Sequence, residues 1–211
     1  MAEENSYLVN YTKKARENQF PPLIGREKEL ERLIHILLRA SKNNPVLVGP
    51  AGIGKSALLN GLVSFMASES APEYMQSREV VALDVAKLML DAKDDKEYAD
   101  LAKQAIQSVI DSDKQKVLYL NDISFLVQMD TNPENREVAK FLKLALVADK
   151  INCMIETDTI HFVSFLEKDT AVMAHMQALL LEEPTLEESI GVPIYFATCN
   201  IHHEEAGRII Q

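Results

Sequence analysis

The sequence predicts an α/β fold in which helices cover both faces of a parallel sheet. Short β-branched apolar runs alternate along the chain with longer helical patterns, which is typical of such folds. One of these strand-to-helix turns is rich in glycine, between Gly49 and Gly54. The 211 residues, 47% of them hydrophobic, suffice for one domain with a closed core.

The predicted sheet has five strands. They are expected at Pro45–Gly49, Val80–Asp84, Lys116–Asn121, Ile151–Thr157 and Ala178–Leu181.

Helix-period apolar stripes occupy the segments between these strands. The predicted helices are Arg26–Ala40, Lys55–Ala67, Glu97–Ile110, Asn135–Ala148 and Thr159–Lys168, with a short helix after Asp169.

Composition and charge argue against several classes of protein. A formal net charge of −10 disfavours general nucleic-acid binding and binding to anionic membranes. The two cysteines, Cys153 and Cys199, have apolar neighbours and no metal or redox spacing, so we expect reduced, buried thiols. No signal peptide and no apolar run of transmembrane length is visible, which predicts a cytoplasmic protein.

The stretch "LVGPAGIGKSALL" matches the phosphate-binding pattern G-x-x-x-x-G-K-S from Gly49 to Ser56. Glycines allow positive φ, so backbone N–H groups point at a phosphate, and the following helix directs its positive end there. We expect Lys55 to contact the β- and γ-phosphates and the Ser56 hydroxyl to ligate Mg²⁺. The predicted cofactor-binding run is Pro50, Ala51, Gly52, Ile53, Gly54, Lys55, Ser56 and Ala57. The alternative is a glycine-rich turn that binds no ligand.

The segments "IGRE", "KNNPVL" and "GKSALL", in this order, resemble the first AAA+ module of the Clp-type ATPases, the group of ClpB, ClpA and ClpC. The resemblance continues through "VVALDVAKL" and "FLEKDTAVM" to "EEPTLEES". It covers roughly residues 10–190 and is strongest before Ala67.

This resemblance implies a three-layer αβα P-loop NTPase (AAA+) core, ATP or ADP with Mg²⁺ as cofactors, hexameric rings and the threading of polypeptide. The expected organisation is an N-terminal helical segment and linker (1–22), the nucleotide-binding core (23–184) and a truncated or degenerate start of a helical lid (185–211).

The resemblance also suggests roles for residues beyond the loop. It implies that Leu23, Ile24 and Gly25 lie against the adenine and that Thr157 is a polar sensor near the γ-phosphate. Core packing is the alternative for Ile24. For Thr157 the alternative is the N-cap of a helix that starts at Asp158.

The chain departs from the family at the residues needed for hydrolysis. The family has Asp then Glu at the end of the third strand, where "KVLYLNDISFL" has Asn121 and Asp122. Asn121 lacks the negative charge, and the carboxylate of Asp122 is withdrawn by about 1.5 Å relative to glutamate. A displacement near 1 Å can cost about 100-fold in rate. We expect Asn121, Asp122 and Thr157 at the catalytic positions, and Ser56 with Asp122 at the magnesium, partly through water.

The chain also departs from the family at residues that contact the neighbouring subunit and at residues that bind the threaded polypeptide. Ala174 and His175 stand where the family has paired arginines, and Asp94 stands where it has a pore aromatic. Tyr98 is expected to pack as the first apolar residue of the next helix. The lid is interrupted by Pro193, and the adjacent histidines at 202 and 203 give a weak metal pattern.

Three hypotheses follow. The chain is a nucleotide-binding module with weak or absent hydrolysis, serving a regulatory role or representing a degenerate chaperone module. Alternatively, it is an active ATPase subunit of a larger unfoldase or disaggregase ring. A third hypothesis is a nucleotide-independent protein that docks on a Clp relative. Expected partners are nucleotide and a Clp-type ATPase or client protein, and the expected state is a monomer or weak oligomer.

Overall fold

The computed structural model describes residues 5–112, 115–121 and 133–182, and only the backbone of residues 133–135 and 165. Its strands are β1 (Leu8–Asn10), β2 (Asn44–Val48), β3 (Glu79–Leu83), β4 (Lys116–Leu120), β5 (Asn152–Thr157) and β6 (Met176–Leu180). Its helices are α1 (Tyr11–Arg16), α2 (Glu27–Leu37), α3 (Lys55–Ala67), α4 (Glu73–Gln76), α5 (Val85–Asp91), α6 (Asp95–Ile110), α7 (Pro133–Val147), α8 (Thr159–His161) and α9 (Thr170–Met173). Predictions for Asp122, Cys199 and the lid segment 185–211 fall outside the described residues.

These elements form one sheet in the order β1-β3-β4-β5-β2-β6. Neighbours from β3 to β6 are parallel, while β1 pairs antiparallel with β3. The α/β class and the parallel core are therefore confirmed. The predicted five strands are corrected to six, because β1 is only three residues long and too short to show a period in the sequence.

The N-terminal segment belongs to the sheet and its core. It consists of the short strand β1 followed directly by the helix α1. The Thr12 hydroxyl accepts a hydrogen bond of 2.9 Å from the Val80 N–H of β3. The Tyr11 ring stacks on Phe20 and meets Tyr119 of β4 edge-on. These contacts join the segment before Leu23 to the same core as β3 and β4.

Two hydrophobic cores lie on the two faces of the sheet, as expected for strands that read as continuous apolar runs. The core that contains α2 and α3 takes Leu47, Tyr119 and Met154 from the strands. The opposite core, which contains α6 and α7, takes Leu118 and Cys153. Cys153 is fully buried, as predicted, and burial raises the pKa of its thiol.

Local capping accounts for the early start of α6. The helix α3 has the predicted bounds, whereas α6 starts earlier because the Asp94 carboxylate accepts from the Glu97 N–H at 2.8 Å. Asp94 is thus a helix cap, and Tyr98 is buried in the core as expected. The predicted helix Thr159–Lys168 is α8 followed by a π-helical turn, Phe162–Leu166.

A buried polar network joins three strands at the amino end of β2. The Asn44 amide donates to the His175 carbonyl at 2.9 Å and accepts from the Cys153 N–H at 2.7 Å. Arg78, also buried, donates to the side-chain amide oxygen of Asn152, Oδ1, at 2.8 Å. Because buried polar groups require partners, Asn44 satisfies backbone groups that the ladder leaves unpaired.

We expect Asn44→Ala to lower the free energy of unfolding by about 2–3 kcal/mol, since it leaves a buried N–H and a buried carbonyl without a partner. Urea denaturation with an unchanged m-value measures this loss. The matched control is Asn43→Ala, because the Asn43 side chain forms no hydrogen bond within the described residues. It should change stability by less than about 0.5 kcal/mol. Equal losses in the two variants would contradict the assignment.

Candidate functional site

The glycine-rich loop connects the carboxyl end of β2 to the start of α3. Gly52 and Gly54 have φ values of 79° and 103°, a region that L side chains rarely adopt. A hydrogen bond of 3.3 Å from the Ile53 N–H to the Pro50 carbonyl closes the loop. Gly54 is the N-cap residue of α3, so the first-turn N–H groups of a 13-residue helix point into the loop. This geometry fits an anion.

The Lys55 ammonium folds back over the same loop. Its Nζ donates to the Gly49 carbonyl at 2.7 Å and to the Pro50 carbonyl at 2.9 Å. The positive charge therefore lies at the loop rather than in solvent. Phosphate oxygens that enter the loop would meet this ammonium together with the helix N–H groups.

Both strands that flank β2 fix the position of the loop. The Gly49 N–H donates to the Thr157 carbonyl at 3.1 Å, and the Leu181 N–H donates to the Val48 carbonyl at 2.8 Å. Thr157 is buried at the end of β5, beside the loop. The helix cap after β5 is Asp158, which accepts from the His161 N–H at 2.8 Å. The alternative role of Thr157 as that cap is therefore wrong.

The predicted adenine contacts lie next to the loop helix. A Cβ on Gly61 of α3 would come within 2.7 Å of Leu23 Cδ2, so glycine is required for this close approach. Leu23, Ile24 and Gly25 are all half-buried, which leaves part of their surface accessible. Gly25 has a φ of 73°, and its N–H donates to Glu27 at 3.1 Å.

Arg26 is a positioning residue that the sequence analysis missed. It is buried, it pairs with Glu29 at 2.7 Å, and it donates to the Ile53 carbonyl at 2.9 Å and to the Glu182 carbonyl at 2.8 Å. A single guanidinium thus joins the start of α2, the loop and Glu182, two residues after the end of β6. The signal in the sequence was "IGRE", where Arg26 was interpreted only as the start of a helix.

Glu156 is the second residue that the sequence analysis missed. It is only 4% exposed, and its Oε2 accepts from the Ser56 hydroxyl at 3.3 Å. Its Oε1 is buried and has no hydrogen-bond partner among the described residues. Burial raises the pKa of this carboxyl, while the Tyr119 hydroxyl, the Lys55 ammonium and the Ser56 hydroxyl act in the opposite direction. The signal was a charged residue inside the apolar run "INCMIET".

The remaining predicted site residues are distributed as follows. Asn121 is exposed directly after β4. Ala174 and His175 precede β6, and β6 runs parallel to β2. They therefore lie at the amino ends of the parallel strands, whereas the loop of the same chain lies at the carboxyl ends. No group of three His, Cys, Asp or Glu side chains that could bind a metal occurs in the described part of the chain.

None of the helices in the described part of the chain combines the length and the apolar character needed to cross a bilayer.

Comparison with known proteins adds a family relationship. No protein-family model matches the chain. It is 31% identical over 188 residues to the chaperone protein ClpB of Bdellovibrio bacteriovorus, with 89% of this chain and 22% of that protein covered. It is also 31% identical over 189 residues to heat shock protein 104 of Schizosaccharomyces pombe, with 89% and 21% covered.

A solved structure gives the same relationship in three dimensions. The Saccharomyces cerevisiae Hsp104–ADP complex superposes with a TM-score of 0.81 at 28% identity, over 94% of this chain and 34% of that one. The chain thus spans about a fifth of the length of its curated relatives. By fold and by sequence, it is an AAA+ module of the Clp type.

Proposed function

We propose that this chain binds ATP or ADP together with Mg²⁺ and hydrolyses ATP weakly or not at all, as a regulatory or degenerate chaperone-type module. The observation that supports binding is the loop itself, with its two left-handed glycines, the first turn of α3 and the Lys55 ammonium beside it. Related solved structures add support, since they contain Hsp104 with ADP and with ATPγS.

In this proposal the loop from Pro50 to Ala57 surrounds the phosphates. The N–H groups from Ala51 to Ala57 and the Lys55 ammonium bind them, whereas Pro50 has no N–H to donate. Leu23, Ile24 and Gly25 contact the base. Magnesium would supply charge neutralisation between the phosphate oxygens, and Ser56 would ligate it. The residues present fit a cation, because the unpartnered Glu156 Oε1 is buried beside the Ser56 hydroxyl.

Weak hydrolysis is inferred from the residues at the catalytic positions. Asn121 brings no charge to the end of β4, and aspartate at 122 is shorter than the glutamate that would activate water. Ala174 and His175 offer no permanent cation to a neighbouring subunit, where an arginine can contribute a thousandfold or more in rate. A monomer or weak oligomer in the cytoplasm belongs to the same proposal, although the comparisons lend the oligomeric state no support.

The second candidate function is that of an active ATPase subunit. It is favoured by Thr157, which is buried at the end of β5 beside the loop. This candidate function assigns Thr157 as the polar sensor near the γ-phosphate. It is also favoured by relatives whose structures include casein, a protein client. In that case other subunits would supply the missing arginines, and the chain would act on a client protein within a longer assembly.

We expect Lys55→Ala to weaken ADP and ATP binding by at least about tenfold, because it removes a charge-assisted contact to phosphate. Titration calorimetry and the thermal shift at saturating nucleotide measure the change. The control is Lys93→Ala, since Lys93 is exposed and pairs only loosely with Glu97, at 3.7 Å. Binding that survives Lys55→Ala unchanged, or no binding by the wild-type chain, would overturn the proposal.

We expect the double variant Asn121→Asp with Asp122→Glu to raise ATP turnover by about 100-fold or more over a slow wild-type rate, because it restores charge and reach together. A phosphate-release assay measures turnover, and the same variant carrying Lys55→Ala provides the baseline. Rapid, Lys55-dependent turnover by the wild-type chain, with little gain in the double variant, would instead favour the active subunit.

A further inference from the structure

The carboxylate missing at the end of β4 has a counterpart on the neighbouring strand. Asn121 follows β4 directly, and β4 pairs with β5 in the register Leu120 to Ile155. Continuing this register by one residue brings Asn121 opposite Glu156. On its other side Glu156 pairs with Leu47 of β2, the strand that leads into the loop. Glu156 therefore lies one strand nearer to the loop than Asn121 does.

We infer that Glu156 is the positioning carboxylate for the magnesium ligand Ser56 in this chain, in place of the acidic residue that is absent at Asn121. The inference rests on the proposed nucleotide binding and specifies how the same site selects the metal-bound form of its ligand.

The hydrogen bond between Ser56 and Glu156 is the first observation that supports this role of Glu156. The Ser56 hydroxyl donates to Glu156 Oε2 at 3.3 Å. A hydroxyl that donates its proton in this way keeps its oxygen lone pairs available for a cation. Partners of this kind orient the ligands of protein-bound metals and raise their basicity.

The burial of the Glu156 carboxylate is a second, independent observation that supports this role. Glu156 is 4% exposed, and its second oxygen has no partner within the described residues. A buried carboxylate is costly in free energy unless a positive charge or donors reach it. The Ser56 and Tyr119 hydroxyls act on the Glu156 carboxylate, and the Lys55 ammonium acts on it while hydrogen-bonded to loop carbonyls, yet Oε1 has no hydrogen-bond partner among the described residues. A hydrated divalent cation at Ser56 would bring donor protons to the unpartnered Oε1.

The sign of the charge then determines which nucleotide is favoured. In its ionised form, the Glu156 carboxylate beside the first turn of α3 repels the phosphates of metal-free ADP or ATP. It attracts the same nucleotide when a divalent cation lies between them. The chain should therefore discriminate between metal-bound and metal-free nucleotide through Glu156.

Glu156→Gln tests this, because it keeps the shape of the side chain and removes its charge. The measurement is the affinity for ADP by titration calorimetry, once with excess Mg²⁺ and once with EDTA. We expect the ratio of the two affinities to fall by about tenfold or more, the size typical of lost outer-shell partners. Affinity in EDTA should stay equal or rise. The control is Glu167→Gln, the same change at an exposed residue, and it should leave the ratio unaltered.

A second carboxylate near Ser56 should rescue the Glu156→Gln variant. Asn121→Asp in the Glu156→Gln background should restore the ratio, since it returns one carboxylate to the adjacent register position. An unchanged ratio in Glu156→Gln, or an equal loss with Mg²⁺ and with EDTA, would overturn the inference while Lys55-dependent binding keeps the proposed function intact. Absence of ADP binding by the wild-type chain would overturn both.

A second variant covers the case in which Glu156→Gln does not fold. Asn121→Asp alone changes an exposed residue, and folding is checked by its thermal transition. If Glu156 already orients Ser56, the ratio of the ADP affinity with Mg²⁺ to that with EDTA should change by less than about threefold. An increase of this ratio by about tenfold or more would show that no carboxylate oriented Ser56 in the wild-type chain, and it would overturn the inference.

Discussion

The parallel ladder around β2 is the interaction on which the site depends. β2 is buried along its whole length between β5 and β6, and its last residues pair with Thr157 on one side and Leu180 on the other. The Gly49 N–H and the Val48 carbonyl extend this pairing into the first residue of the loop. A glycine-rich turn would otherwise be mobile, because glycine restricts the backbone least. Here its starting point is fixed by a rigid sheet.

Much of this arrangement follows from the sequence, for a physical reason. Apolar strands that are buried on both faces read as continuous runs, so the central strands are predicted with small errors at their ends. The loop is predicted as well, because its spacing of Gly49, Gly54 and Lys55 reports a backbone requirement that acts locally. The bounds of α3 follow from the same local requirement.

The features that the sequence did not reveal depend on pairing over long distances. β1 is a strand only because β3 offers it a free edge, and three residues carry too little pattern to predict that. Arg26 and Glu156 are charged residues whose partners lie far along the chain, at Ile53 and Glu182 for the first and at Ser56 for the second. Their burial, rather than their spacing, identifies them.

The contacts of Arg26 have a mechanical consequence. The guanidinium contacts Ile53 in the loop and Glu182, two residues after the end of β6. Glu182 is also the point from which the chain continues toward its C-terminal residues. The Leu181 N–H also donates to the Val48 carbonyl, so two contacts link the exit of the chain from the sheet to the glycine-rich turn. A displacement of the chain at Glu182 would therefore reach that turn through the guanidinium as well as through the sheet.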